Sequence, residues 1–136
     1  VRRVIGAAHA GWRGTAAGIA AETVRVMAQD YGCDPADIRA AIGPGIGACC
    51  FEVGPEVVAA AEALLGAPLG ALVRPTAGDR ALLDLKRVNA LRLAQLGVPA
   101  GQIAVSDACT MCRPDVFWSH RATDGRRGVQ AAVITL

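Results

Sequence analysis

The sequence predicts a layered α/β sandwich with a mixed sheet, and three observations predict it. Short apolar runs at 3–8, 38–42, 103–106 and 129–136 read as buried strands. The stretches between them carry apolar residues at helical spacing. Glycine and proline punctuate the junctions, and strands alternating with helices pack as layers.

Taken in order, Arg3 to Ala8 make the first strand, and Gly11 and Gly14 bracket a turn. Thr15 is placed to N-cap a helix running to about Tyr31, with Gly32 behind it as the stop. On that helix Ala20, Val24, Met27 and Tyr31 share one face, and Glu22, Arg25 and Gln29 share the other. Ile38 to Ile42 give the second strand, ended by Gly43-Pro44-Gly45. Pro55 suits the first turn of the next helix, whose apolar stripe is Val57, Val58, Ala61, Leu64 and Leu65 before Gly66. Residues 67–82 read as loop with a short strand near 71–73. Asp84 can cap a helix over 85–96 that Gly97 ends. Ile103 to Ser106 give a further strand, and the almost wholly apolar run Val129 to Leu136 reads as a central one.

Composition narrows the function classes. A chain of 136 residues suits one domain, here 1–136. It is 53% hydrophobic with a mean hydropathy of +0.36, which is globular rather than disordered. No apolar run reaches the roughly 18–20 residues of a membrane span, and Trp12 and Arg13 cut short the run that follows Arg2 and Arg3. Net charge is +2 and no Lys/Arg block exceeds two residues, so no nucleic-acid stripe is expected. Five cysteines, at 33, 49, 50, 109 and 112, fit no disulfide framework and suit a reducing cytoplasm. A monomer is expected. The chain opens on Val1, which suits an excised or processed fragment.

The rare residues cluster. Both histidines and four of the five aromatics fall in 9–14, 43–54 and 109–121. His9 follows the first strand and reads either as a core imidazole bonded to backbone or as a ligand. Arg13, near a helix start, can hold an anion or be a surface cation. The run Gly43 to Gly47 is a tight turn or a place of close backbone approach, and it is neither a Walker loop nor GxGxxG. Cys109-Thr-Met-Cys112 with His120 has metal-ligand spacing, and His9 can complete a Cys2His2 zinc set.

Together these segments resemble one family. HAGWRG at 9–14, GPGIGACCFEVG at 43–54, LDLKRVNALRLAQLGV at 83–98 and DACTMCRPDVFWSHR at 107–121 are similar, in order and spacing, to the laccase-domain proteins. That family was once described as multicopper polyphenol oxidases and is now assigned as zinc-dependent purine nucleoside phosphorylases with adenosine deaminase activity. The resemblance implies a YfiH-like α/β sandwich. It also implies a catalytic zinc held by His, Cys and His, the last being His9. The segments that carry the other two ligands do not occur in this sequence, so the chain is expected to lack the family's N-terminal portion or to be a degenerate member. The family's Ser-His-Arg-Arg ending is also broken, because Ala122 follows Arg121.

The implied chemistry is phosphorolysis of adenosine, inosine, guanosine or methylthioadenosine to base and ribose-1-phosphate, with deamination of adenosine. His9 and Arg13 are then the catalytic candidates, and Gly45, Phe117, Trp118 and Arg121 the substrate-binding ones. Phe117 and Trp118 can stack a base, and Arg13 and Arg121 can clamp phosphate. Copper oxidation is strongly discounted, since the two histidines of this sequence cannot furnish multiple copper centres. A second reading is a non-catalytic domain with structural zinc at Cys109, Cys112, His120 and His9. With one of three family ligands present, weak zinc binding by the chain is expected.

Overall fold

The computed structural model describes residues 3–126 and 128–136. Its elements in chain order are α1 (Trp12–Ala16), α2 (Ile19–Gln29), β1 (Ala40–Ile42), β2 (Glu52–Val53), α3 (Pro55–Leu65), β3 (Val73–Pro75), β4 (Ala81–Leu83), α4 (Leu85–Gln95) and β5 (Ile103–Val105). The fold is mixed α/β, with one parallel and one antiparallel sheet.

The first helical region differs from the expectation. A single helix capped by Thr15 is replaced by two, because Gly18 takes the left-handed conformation (φ 80°) and breaks the run. Thr15 lies inside α1 and is buried. Its hydroxyl donates to the Ala10 carbonyl at 3.2 Å and accepts from Asn89 Nδ2 at 3.0 Å. That buried polar pair ties α1 to α4 and leaves neither side chain without a partner. On α2, Val24 is buried and Glu22, Arg25 and Gln29 form a solvent-side network, as the spacing requires. Tyr31 lies past the helix end and is 55% exposed.

α3 and α4 follow their signals. Pro55 occupies the first turn of α3, Val57, Ala61 and Leu65 are buried, and Gly66 ends it at φ 69°. Asp84 accepts a hydrogen bond from the Arg87 N–H at 3.0 Å at the start of α4.

The strands need correction. Expected strands at 38–42 and 103–106 appear as β1 and β5, paired in parallel with Ala40 opposite Ile103 and Ile42 opposite Val105. The expected strands at 3–8 and 129–136 are not formed among the described residues. A strand exists only where a neighbour supplies its rungs, and no described segment pairs with either. The segment at 3–7 lies instead along α2, and Leu136 reaches the same groove. Val129 and Val133 stand 85% and 86% exposed. So the single expected sheet is two smaller ones, the second being antiparallel with order β2-β4-β3. Its strands of two and three residues are too short to show a period. Pro75, which has no N–H to donate, sits at the end of edge strand β3.

Two apolar clusters hold these pieces. Phe51, Val53, Val57, Ala61, Leu65, Leu69, Leu83 and Val88 form the larger, with Trp12 and Ile46 packed against it. Val24, Ile38 and Val98 form the smaller, beside Met27, Leu93 and Ile103. Leu83 has no exposed surface, so Leu83→Ala should cost about 2–5 kcal/mol, against under about 0.5 kcal/mol for the half-exposed Leu91→Ala. Urea midpoints of the two variants compare them, and equal midpoints would place the core elsewhere.

Candidate functional site

The parallel pairing of β1 and β5 runs on past the strands. The Ser106 N–H donates to the Ile42 carbonyl at 2.9 Å, and the Thr110 N–H to the Gly45 carbonyl at 3.1 Å. Gly45 and Cys109 form a parallel bridge. The loop after β1 therefore lies beside the loop after β5, at the carboxyl ends of both strands, where α/β sheets place ligands. Lys86, the single lysine, donates to the carbonyls of Ser106 and Ala108 (3.0 Å for Ala108), fastening the second loop to the start of α4.

This juxtaposition gathers four of the five cysteines. The Sγ atoms of Cys49, Cys50, Cys109 and Cys112 all lie within 4.8 Å of one another and could hold a metal ion. Cys112 is 3.5 Å from Cys49 and 3.4 Å from Cys50. Cys49 and Cys50 come from a tight turn in which the N–H groups of Cys50 and Phe51 both donate to the Gly47 carbonyl. Gly47 is needed there for space. A Cβ on it would stand 3.1 Å from the Cys109 Cβ and 3.2 Å from the Cys49 sulfur.

The thiols are not equivalent. Burial pushes Cys109 up, but N–H donors from Gly47, Cys112 and Met111 and the Cys49 thiol outweigh it and bring the group down to about 6. The Gly47 N–H lies 3.2 Å from its sulfur. Cys50 and Cys49 are raised, first by the hydrogen bond with Cys112 and then by burial. Cys109 is thus held below its ordinary value, with the Gly47 N–H directed at its sulfur.

Other sequence candidates are spread around this centre. Arg121 donates to the Glu52 carbonyl at 3.0 Å and lies 5.7 Å over the Phe51 ring, so it reaches the residues that follow the Cys49–Cys50 turn. Phe117 is half-buried, and Trp118 is 51% exposed, its backbone bracketed by the Gln130 amide. Arg13 stacks on Trp12 at 4.4 Å and sits within α1 rather than before it. His9 is exposed rather than a core imidazole. His9 and His120 stand outside the cysteine group, and His120 packs over Gly125. Cys49 and Cys50, which the CxxC reading passed over, take the places it gave to the two histidines. The signal was available: four of five cysteines fall in two of the three clustered segments.

Comparison with known proteins places the chain in a family. The family model for multi-copper polyphenol oxidoreductase laccase matches residues 1–136. The chain belongs to this laccase family. A purine nucleoside phosphorylase YlmD of Geobacillus stearothermophilus is 42% identical over 131 residues, covering 96% of this chain and 48% of that protein. An adenosine deaminase RL5 from an unknown prokaryotic organism is 39% identical over 118 residues, covering 87% of this chain and 45% of that protein. The crystal structure of YlmD from Geobacillus stearothermophilus superposes with a TM-score of 0.83 at 43% identity, over 89% of this chain and 45% of that one. The chain spans about half the length of the curated relatives it matches. Among the described residues, no helix is long and apolar enough to cross a membrane.

The laccase-family chain should show the Cys109 thiolate directly. In reduced, metal-free protein, thiolate ultraviolet absorbance should rise in a step near pH 6 that is lost in Cys109→Ser and kept in Cys33→Ser. Because the folded thiol titrates below its ordinary value, its stabilising share is complete above that ordinary value. That share is lost as pH falls through about 6. Absorbance rising only at alkaline pH would show that the N–H donors do not hold the thiolate.

Proposed function

We propose that this chain contributes one share of a zinc-dependent purine nucleoside site, in a protein that cleaves nucleosides by phosphorolysis and deaminates adenosine. The observation that carries the reading is the 42% identity to a purine nucleoside phosphorylase across 96% of the chain. HAGWRG, GPGIG and the FWSHR run all lie within that span.

The residues bear the reading in part. The His9 imidazole is exposed and makes no hydrogen bond to another described residue, so its nitrogens are open to a ligand. A Cβ on Gly11 would stand 3.0 Å from His9 Nε2, so glycine there keeps the ring free. A catalytic zinc takes three protein ligands and an open position. His9 is one donor, and the cysteine group stands apart from it. When bound, zinc supplies an activated water for deamination. The chain's own residues do the rest: Phe117 and Trp118 offer faces to a purine, and Arg121 and Arg13 offer guanidinium groups to phosphate. The five free thiols suit a reducing cytoplasm.

A second reading, a degenerate member that binds nucleoside without turnover, draws on the single imidazole donor. Turnover separates the two. The whole protein, given inosine or adenosine, should release base only with phosphate present, and should release ammonia from adenosine. His9→Ala should abolish both reactions, and Arg121→Ala should slow phosphorolysis roughly 10²-fold while sparing the fold. Base release undiminished in His9→Ala would remove His9 from the reaction. Nucleoside binding without products would establish the second reading.

A further inference from the structure

We propose that Cys49, Cys50, Cys109 and Cys112 form a closed tetrathiolate site for a thiophilic divalent cation, Zn2+ above all, distinct from His9 and structural rather than catalytic. Three observations carry it. The first is geometric. Tetrahedral zinc with Zn–S near 2.3 Å requires sulfurs roughly 3.8 Å apart. Here two pairs lie at 3.5 and 3.4 Å and all four sulfurs lie within 4.8 Å. An ion would spread the two close pairs by a few tenths of an ångström and draw any pair near the 4.8 Å limit in by up to about 1 Å.

The second observation is chemical. The group is all sulfur, with no carboxylate or imidazole among the described residues inside it. Soft thiolates select zinc and similar ions over magnesium or calcium. A four-thiol set has no place left for water, so such a site holds structure and does not activate a nucleophile.

Third, the surrounding backbone suits thiolates. The Gly47 N–H donates to the Cys109 sulfur at 3.2 Å. Such a donor orients the ligand and offsets its charge. Two bridged disulfides explain the arrangement less well. Cys112 lies within 3.5 Å of both Cys49 and Cys50 and can pair with only one, and adjacent Cys49 and Cys50 are poorly placed to bridge each other.

The site would clip the loop after β1 to the loop after β5. It would thereby fix Phe51 and Glu52, on which Arg121 rests. The thiols that are still protonated yield their protons to solvent as the ion binds, so binding weakens in acid. This reverses the expectation of weak zinc binding drawn from His9 alone.

The test is cobalt substitution, which reads the ligands without reference to nucleoside turnover. Reduced, metal-free protein titrated with Co2+ should bind one ion per chain. It should develop thiolate-to-cobalt charge-transfer bands and strong visible bands of tetrahedral cobalt, all bleached by Zn2+. Cys112→Ser, at an exposed position, should lose the charge-transfer bands, whereas Cys33→Ser and His9→Ala should keep them. Thiol counting on the unmodified protein gives a check that needs no variant. In the 136-residue chain five thiols should react when metal-free, and only Cys33 after zinc loading. Absence of the bands in fully reduced protein would overturn the site. So would bands that survive Cys112→Ser or vanish in His9→Ala, or a thiol count that zinc leaves unchanged.

Discussion

The parallel register between β1 and β5 is the constraint on which the rest of the site depends. It consists of three paired residues and is prolonged by the Gly45–Cys109 bridge and the Thr110 N–H bond to Gly45. A slip of one residue would turn every side chain of the pair to the opposite face. Cys109 would then leave Gly47, and the cysteine pairs, sixty residues apart in the chain, would not meet. Parallel strands need a long crossover between them, and here it is everything from Gly43 to Gln102. The larger core is built inside that crossover, so register and core are set together.

Packing within the crossover explains why the register holds. Leu83 and Val88 are wholly buried where β4 turns into α4, in one cluster with Phe51 at the end of the loop after β1 and Val53 of β2. Lys86, in the first turn of α4, then reaches the carbonyls that follow β5. The same short stretch of chain thus touches both loops of the site, one through apolar burial and the other through charge-assisted hydrogen bonds. Asn89 continues the connection to α1 through Thr15, next to the HAGWRG segment.

The functional residues divide by physical role. The cysteines lie at the joint of the two loops, where a bond or an ion fixes most geometry. His9, Arg13 and Trp118 lie outward, with exposed side chains. Arg121 joins the two zones, its guanidinium held between the Glu52 carbonyl and the Phe51 ring.

The sequence by itself determined what local physics determines. Pro55 and Gly66 bounded α3, Asp84 capped α4, and the motif strings carried the family resemblance. Capping, turn chemistry and helical period act over a few residues, so they can be read from a few residues. The two-residue β2 and the exposed runs at 3–8 and 129–136 could not be read that way. A strand's existence is decided by a distant partner, and apolar composition does not say whether one is there. Gly18 likewise split a helix whose period looked continuous, because only the packed backbone chose its left-handed conformation. The same limit hid half of the cysteine cluster. CxxC announced Cys109 and Cys112, while their companions were set by the β1–β5 register, a long-range pairing that made Cys49 and Cys50 neighbours and left both histidines outside.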